Sequence, residues 1–173
     1  MTQTPYNRAL DLLSARPYSA KELRRKLVQK GVTGEEADGV IDRLRESGLI
    51  DDARYAASYA RSKMVHSGAS SRRITQELAR KGVTGAQVAD AIEQVVRDEE
   101  IDTEAMIERV ARKKVATMGD LEPLVLRRRL YAFLARKGYE LDEIQRVMGR
   151  VLERTAERTA ERTAEHTARG ESD

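Results

Sequence analysis

One motif recurs three times along this chain, and it restricts the fold more than any other feature. Residues 19–34 read SAKELRRKLVQKGVTG, and residues 70–85 read SSRRITQELARKGVTG. A third copy, RRRLYAFLARKGY, ends at Tyr139. The Lys-Gly pairs fall at 30–31, 81–82 and 137–138, spaced by 51 and 56 residues. Each copy places apolar residues four apart: Leu23/Leu27, Ile74/Leu78 and Leu130/Leu134. That spacing makes one buried stripe of a helix. Glycine then ends the helix in a left-handed conformation that costs other residues more. The next residue is apolar each time: Val32, Val83, Tyr139. In a Schellman ending it packs back onto the third-last helical position, here Leu27, Leu78 and Leu134.

Second helices follow. Thr33 with Glu36, and Thr84 with Gln87, read as capping boxes, and Ser19 with Glu22 opens the preceding helix the same way. Apolar positions such as Val40/Ile41/Leu44, Ala91/Ile92/Val95 and Val147/Met148/Val151 continue the pattern. Gly48 ends the first of these helices, with Leu49 expected to pack on Leu44. A third helix runs from Asp51 or Asp52 in repeat one and from about Asp102 in repeat two. An additional N-terminal helix is expected, with Thr4 as cap and Pro5 at its first position, carrying Leu10, Leu12 and Leu13. The expected organisation is an N-terminal helix (1–17), repeat one (18–66), repeat two (67–118), repeat three (119–152) and a charged tail (153–173). Units this small bury too little surface to stand alone. An all-α, elongated tandem array of three-helix repeats is therefore expected.

The tail repeats Glu-Arg-Thr-Ala from Glu153, ending in Glu165-His-Thr-Ala. A four-residue period drifts around a helix of 3.6 residues per turn and builds no fixed apolar face. It reads as an extension of the last helix that frays into disorder.

Composition closes off several function classes. The chain contains no Cys, so it forms no disulfide and has no thiolate, as a reducing cytoplasm favours. No apolar run approaches the ~20 residues needed to span a bilayer, and the N-terminus lacks a signal-peptide pattern. A cytoplasmic protein with no membrane partner, and a monomer, is expected. Its two histidines, His66 in a loop-like stretch and His166 in the tail, match no metal spacing. Phosphate-loop and nucleophile-elbow motifs are absent. No cofactor, metal or catalytic residue is therefore expected. Asp51-Asp52 could form a metal pair, but a helix cap with a first-turn acid explains it better. Tyr55 and Tyr59 could stack on bases, or pack between repeats.

Charge carries the remaining information. The net charge is +3, yet the tail from Glu153 holds four Arg against five Glu and one Asp. The first 152 residues therefore hold +5. In register, the first helices present Lys21, Arg72 and Arg128, then Glu22, Arg73 and Arg129, then Gln29, Arg80 and Arg136, and finally Lys30, Lys81 and Lys137. Arg73 and Arg80, like Arg129 and Arg136, are seven apart and share a face. That face points away from the apolar stripe, so its charges are expected to matter little to folding. Contact with an anionic partner is the sharper reading, and a solvated helix face the plainer one. The candidate contact residues are Arg24, Arg25 and Lys26 in repeat one, Arg54 and Arg61 on its third helix, Arg72, Arg73, Arg80 and Lys81 in repeat two, and Arg127, Arg128, Arg129, Arg136 and Lys137 in repeat three.

Three stretches of the first copy resemble the RecX family. They are Arg16-Pro-Tyr-Ser-Ala-Lys-Glu-Leu-Arg-Arg-Lys-Leu, the Lys30-Gly31 pair, and Gly48-Leu-Ile-Asp-Asp-Ala-Arg-Tyr with Tyr59 one turn beyond. The block from Arg73 to Gly82 is similar to the second repeat of that family. The likeness spans roughly residues 8 to 152. It implies a non-enzymatic regulator whose partner is the RecA filament on single-stranded DNA, with DNA phosphate as a further contact. It also implies restraint of RecA's ATP hydrolysis, filament growth and strand exchange, in recombination and the SOS response. A direct DNA-binding protein of helix-turn-helix type is the alternative. Gln76 and Arg73 are its modest base-reading candidates.

Overall fold

The computed structural model describes residues 3–119 and 121–170. Among them there are nine α-helices and no strand. They are α1 (Pro5–Ala15), α2 (Ala20–Gln29), α3 (Gly34–Glu46), α4 (Asp52–Arg61), α5 (Ser71–Arg80), α6 (Ala86–Asp98), α7 (Thr103–Val115), α8 (Pro123–Arg136) and α9 (Leu141–Gly170). A π-helical turn, Ser62–His66, prolongs α4, so His66 sits in a helical turn and not in a loop. Helices pack mutually in threes: α1 with α2 and α3, α4 with α5 and α6, α7 with α8 and α9. This grouping starts one helix earlier than the boundaries expected from the repeat. The Lys-Gly motif marks the middle helix of each bundle, and a period alone does not say which flanking helix belongs with it. One compact unit holds α1–α6; the other holds α7–α9 with Gly68–Ser70.

In the first unit, Leu23, Leu27 and Leu44 are fully buried with Ala37 and Ala9. Each buried leucine contributes about 2 kcal/mol by leaving water. Thr4 caps α1 and Pro5 opens it; Ala9 is its buried residue, while Leu10, Leu12 and Leu13 pack half-buried at the edge. The helix ends are the expected Schellman motifs. Gly31 has φ of 88° and Gly82 of 84°. The Val32 amide donates to the Leu27 carbonyl at 3.1 Å, and Val83 to Leu78 at 3.0 Å. Gly48 also ends α3 at positive φ, but Leu49 is 48% exposed and Ile50 enters the core instead, at 4%. Both amides donate to the Leu44 carbonyl, so the turn carries the chain past Leu49 before it dives inward.

Thr33 and Glu36 form a complete capping box. The Thr84–Gln87 box does not form. Gly85, at φ of 85°, takes the cap of α6, with no side-chain bond. The neutral Gln87 amide lacks the carboxylate that Glu36 sets against the helix dipole.

In the second unit, Leu130, Leu134, Ile107 and Ile144 are fully buried between the helices. The Tyr139 hydroxyl donates to the Gly68 carbonyl at 2.7 Å. Its burial, then the Glu143 charge, pushes the Tyr139 phenol up to about 12. Gly68 is required there: at φ of 55° a Cβ would collide with Val110 Cγ2. The tail differs from its expected fraying. Arg150 pairs with Glu104, Arg154 pairs with Glu108 at 3.0 Å, and α9 continues as one helix of 30 residues to Gly170. Alanine, Glu and Arg are all strong helix formers, which offsets the missing apolar face. No helix among the described residues is long and apolar enough to cross a membrane.

Candidate functional site

The first unit is tied together by polar groups that the basic pattern did not predict. Ser19 caps α2 by accepting from the Glu22 amide, and its hydroxyl donates to the Lys81 carbonyl at 2.5 Å. Glu22 does not fold back to complete a capping box. Its buried carboxylate instead accepts from Lys81 Nζ at 2.9 Å and from the Tyr55 hydroxyl at 3.0 Å. Burial alone would raise this carboxyl. The hydrogen bonds of Lys81 and Tyr55, with the charges of Lys81 and Arg16, hold it below its ordinary value. Tyr59 donates to Glu77 at 2.8 Å, and Arg73 reaches the same carboxylate at 2.6 Å. Against the opposing effect of burial, these bonds also lower Glu77. Tyr55 and Tyr59 lie stacked, 6.1 Å apart, and burial followed by their glutamate partners raises both phenols well above the ordinary range. The tyrosine pair therefore packs between helices. Asp51 caps α4 with Asp52 in its first turn, as the capping reading has it, and Asp52 also accepts from the Ala20 amide of α2 at 2.9 Å.

Several candidate contact residues are thus engaged within the protein. Arg73 and Lys81 are held by Glu77 and Glu22. Arg24 pairs with Asp38 at 2.5 Å. Arg61 reaches Glu99 at 2.6 Å and Asp98 at 3.6 Å. Arg54 donates to the Gly48 carbonyl at 2.9 Å. Arg24, Arg54 and Arg61 nonetheless remain exposed. Arg72 is exposed and partnered, Lys26 is half-buried, and Lys137 lies 5.6 Å from the centre of the Phe133 ring. Arg25, Arg80, Arg127, Arg128, Arg129 and Arg136 are exposed and have no side-chain partner among the described residues. The expectation that the whole arginine face is free of folding duties therefore fails at Arg73, where Glu77 lies one turn away.

Two depressions carry four of these arginines: Arg25 and Arg80 in one, Arg127 and Arg128 in the other. In the first unit, a cleft of about 320 Å³ between α2 and the end of α5 is lined by Lys21, Arg24, Arg25, Arg80 and Lys81, with Val28 among them. In the second, a groove of about 310 Å³ between α8 and α9 is lined by Leu124, Arg127, Arg128, Tyr131 and Met148. Leu124 is 73% exposed and Tyr131 42%. Neither was singled out from the sequence. The aligned repeats did carry a clue, because Tyr131 occupies the exposed position of Arg24 and Thr75.

Comparison with known proteins gives this arrangement a family. Models of the first, second and third three-helix domains of RecX match residues 6–44, 51–92 and 102–148. The Regulatory protein RecX of Amycolatopsis mediterranei is 36% identical over 129 residues, 75% of this chain and 72% of that protein. The Haemophilus influenzae protein of the same name is 30% identical over 151 residues, 87% of this chain and 96% of its own. The crystal structure of RecX from Lactobacillus salivarius shares the fold. Its TM-score is 0.68 at 24% identity, over 85% of this chain and 94% of that one. Three successive domain matches and relatives aligned over most of their length place this chain in the RecX family.

Proposed function

We propose that this protein binds RecA–DNA filaments and restrains RecA's ATP hydrolysis, filament growth and strand exchange, without catalysis of its own. The family assignment supports the partner. The observation that carries the reading is the set of arginines on α8, Arg127 to Arg129 and Arg136, which have no side-chain partner among the described residues and are exposed. Exposed, unpaired cations repeated along a helix suit an anionic filament. The RecA filament on single-stranded DNA presents both phosphate and protein surface. The action assigned here is steric and electrostatic, and it takes place in the cytoplasm, where filaments form.

The test is a titration of DNA-dependent ATP hydrolysis by RecA with wild type and with Arg129→Glu/Arg136→Glu, at two salt concentrations. Wild type is expected to inhibit at or below equal amounts, less so at higher salt. The double variant is expected to inhibit less while melting normally. Failure of the folded wild type to inhibit would sink the function, and full inhibition by the folded variant would sink the role of α8.

A further inference from the structure

Within the first unit, the α1–α3 bundle meets α4–α6 through a joint made mainly of polar ties. The buried core residues of α1–α3 form a cluster that lies wholly between Ala9 and Ile50. Across the joint, the Ser19 hydroxyl donates to the Lys81 carbonyl, and the Ala20 amide donates to Asp52 at 2.9 Å. The Glu22 carboxylate accepts from Lys81 and from Tyr55. Arg45 lies 3.7 Å from Asp52, and the Lys21 stem lies over Gly82.

Packing at the joint is loose. A depression of about 560 Å³ is lined by Leu10, Leu13 and Tyr18 from the first bundle and by Arg54 and Ser58 from α4. The cleft of about 320 Å³ between α2 and the end of α5 is a second gap. Close-packed interiors leave few voids larger than a water molecule. Parting the bundles therefore strips little packed apolar surface, and the polar ties carry the cost. The covalent link is short: Ile50 still belongs to the first core, and Asp51 already caps α4 in an extended conformation. A link of this kind absorbs a rotation in a few dihedral angles.

Glu22 governs whether the joint holds. Its side chain is 8% exposed, and that of its partner Lys81 is 25% exposed. A buried carboxylate that keeps its cation is compensated, and one that loses it must reach water. At this position, water is reached by separating the two bundles.

We propose that the Glu22–Lys81 ion pair is a latch: closed, it holds α1–α3 against the end of α5, and released, it lets α1–α3 swing out as a folded body about Ile50–Asp51. The inference goes beyond the filament reading and does not depend on what the chain binds.

The experiment measures distances between paired spin labels in the full chain, which has no cysteine of its own. One pair spans the joint, Glu35→Cys on α3 with Gln94→Cys on α6. A control pair lies within the first bundle, Ala15→Cys on α1 with Glu35→Cys, and all three positions are exposed. Wild type is expected to give one dominant distance for each pair. Lys81→Met leaves Glu22 buried without its cation, and is expected to shift the ratio of closed to open chains about a hundredfold or more. The spanning pair then shows a broad, changed distribution while the control pair keeps its distance. Glu22→Gln/Lys81→Met, which leaves no unpaired charge, is expected to restore most of the closed population. Should Lys81→Met fail to fold, Asp52→Ala removes the acceptor of the Ala20 amide and the partner of Arg45, and is expected to open the joint to a smaller extent. An unchanged spanning distance in the folded variants would overturn the proposal. Broadening of the control pair would also overturn it, because the bundle would then be unfolding in place of swinging. A double variant as open as Lys81→Met would remove the ion pair as the latch.

Discussion

Helices α5 and α8 carry nearly the same basic pattern but differ in how much of it they tie into the fold. On α5, Arg73 is held by Glu77 one turn on, and Lys81 reaches Glu22 on α2. On α8, Arg127, Arg128, Arg129 and Arg136 have no side-chain partner among the described residues. For Arg129, which matches Arg73, the cause is visible in register: the position of Glu77 is occupied on α8 by Phe133, which lies within 5.6 Å of both Lys114 and Lys137 instead. An acid four residues away converts a cation into part of the fold, and an aromatic there leaves it free. Counting arginines in aligned repeats thus overstates the binding surface wherever one copy supplies its own counter-charge.

That contrast can be broken at several points, the largest first. Gly82→Ala should cost about 2–3 kcal/mol. A Cβ at its φ of 84° would meet Lys21 Cβ at 2.5 Å, in addition to the left-handed strain itself. Gly31→Ala, at nearly the same φ with open space around it, should cost about 1 kcal/mol. Equal losses in denaturant melts would mean that the end of α5 is not docked on α2.

Removing a charge at the centre of that docking should cost slightly less. Glu22→Gln is expected to lower stability near neutral pH by about 2 kcal/mol, because Lys81 loses its charged acceptor. The pH dependence has a definite sign. Glu22 and Glu77 are held below their ordinary value of 4.5 in the folded protein. Their contribution is therefore present above about pH 4.5 and disappears as pH falls through the lower folded values. Melts of Glu22→Gln should show a shallower acid limb than wild type; identical acid limbs would remove Glu22 from the network.

The direct test of the α5–α8 contrast is smaller. Arg73→Glu replaces an ion pair with two like charges one turn apart and should cost about 1 kcal/mol. Arg129→Glu at the matching position should stay within about 0.5 kcal/mol of wild type. Similar losses in both would erase the distinction. The smallest effect is expected for truncation after Thr155. Val151 is buried and Arg154 pairs with Glu108, both within the retained chain. The melting temperature should therefore move by no more than a degree or two, corresponding to a few tenths of a kcal/mol. A large drop would show that the distal part of α9 supports the second unit.

The sequence alone determined the helices and their punctuation. Apolar residues four apart, a Thr or Asp cap and a Lys-Gly ending are local devices, each complete within a few residues, and the Schellman turns at Gly31 and Gly82 formed as the pattern required. The all-helical class follows from the same local grammar, whereas the likeness to the RecX family rests on particular residues, above all the stretch from Gly48 to Tyr55. Where local grammar was ambiguous, the outcome depended on competition within the turn: Ile50 was buried in place of Leu49, and Gly85 capped α6 in place of Thr84. The tertiary structure alone decided which helices group into threes, and which cations are free. Glu22 and Lys81 are 59 residues apart in the chain yet 2.9 Å apart in space. Long-range pairs of this kind leave no period in the sequence, because a carboxylate at a capping position satisfies the same local pattern whether it turns back to its own helix or reaches across to another.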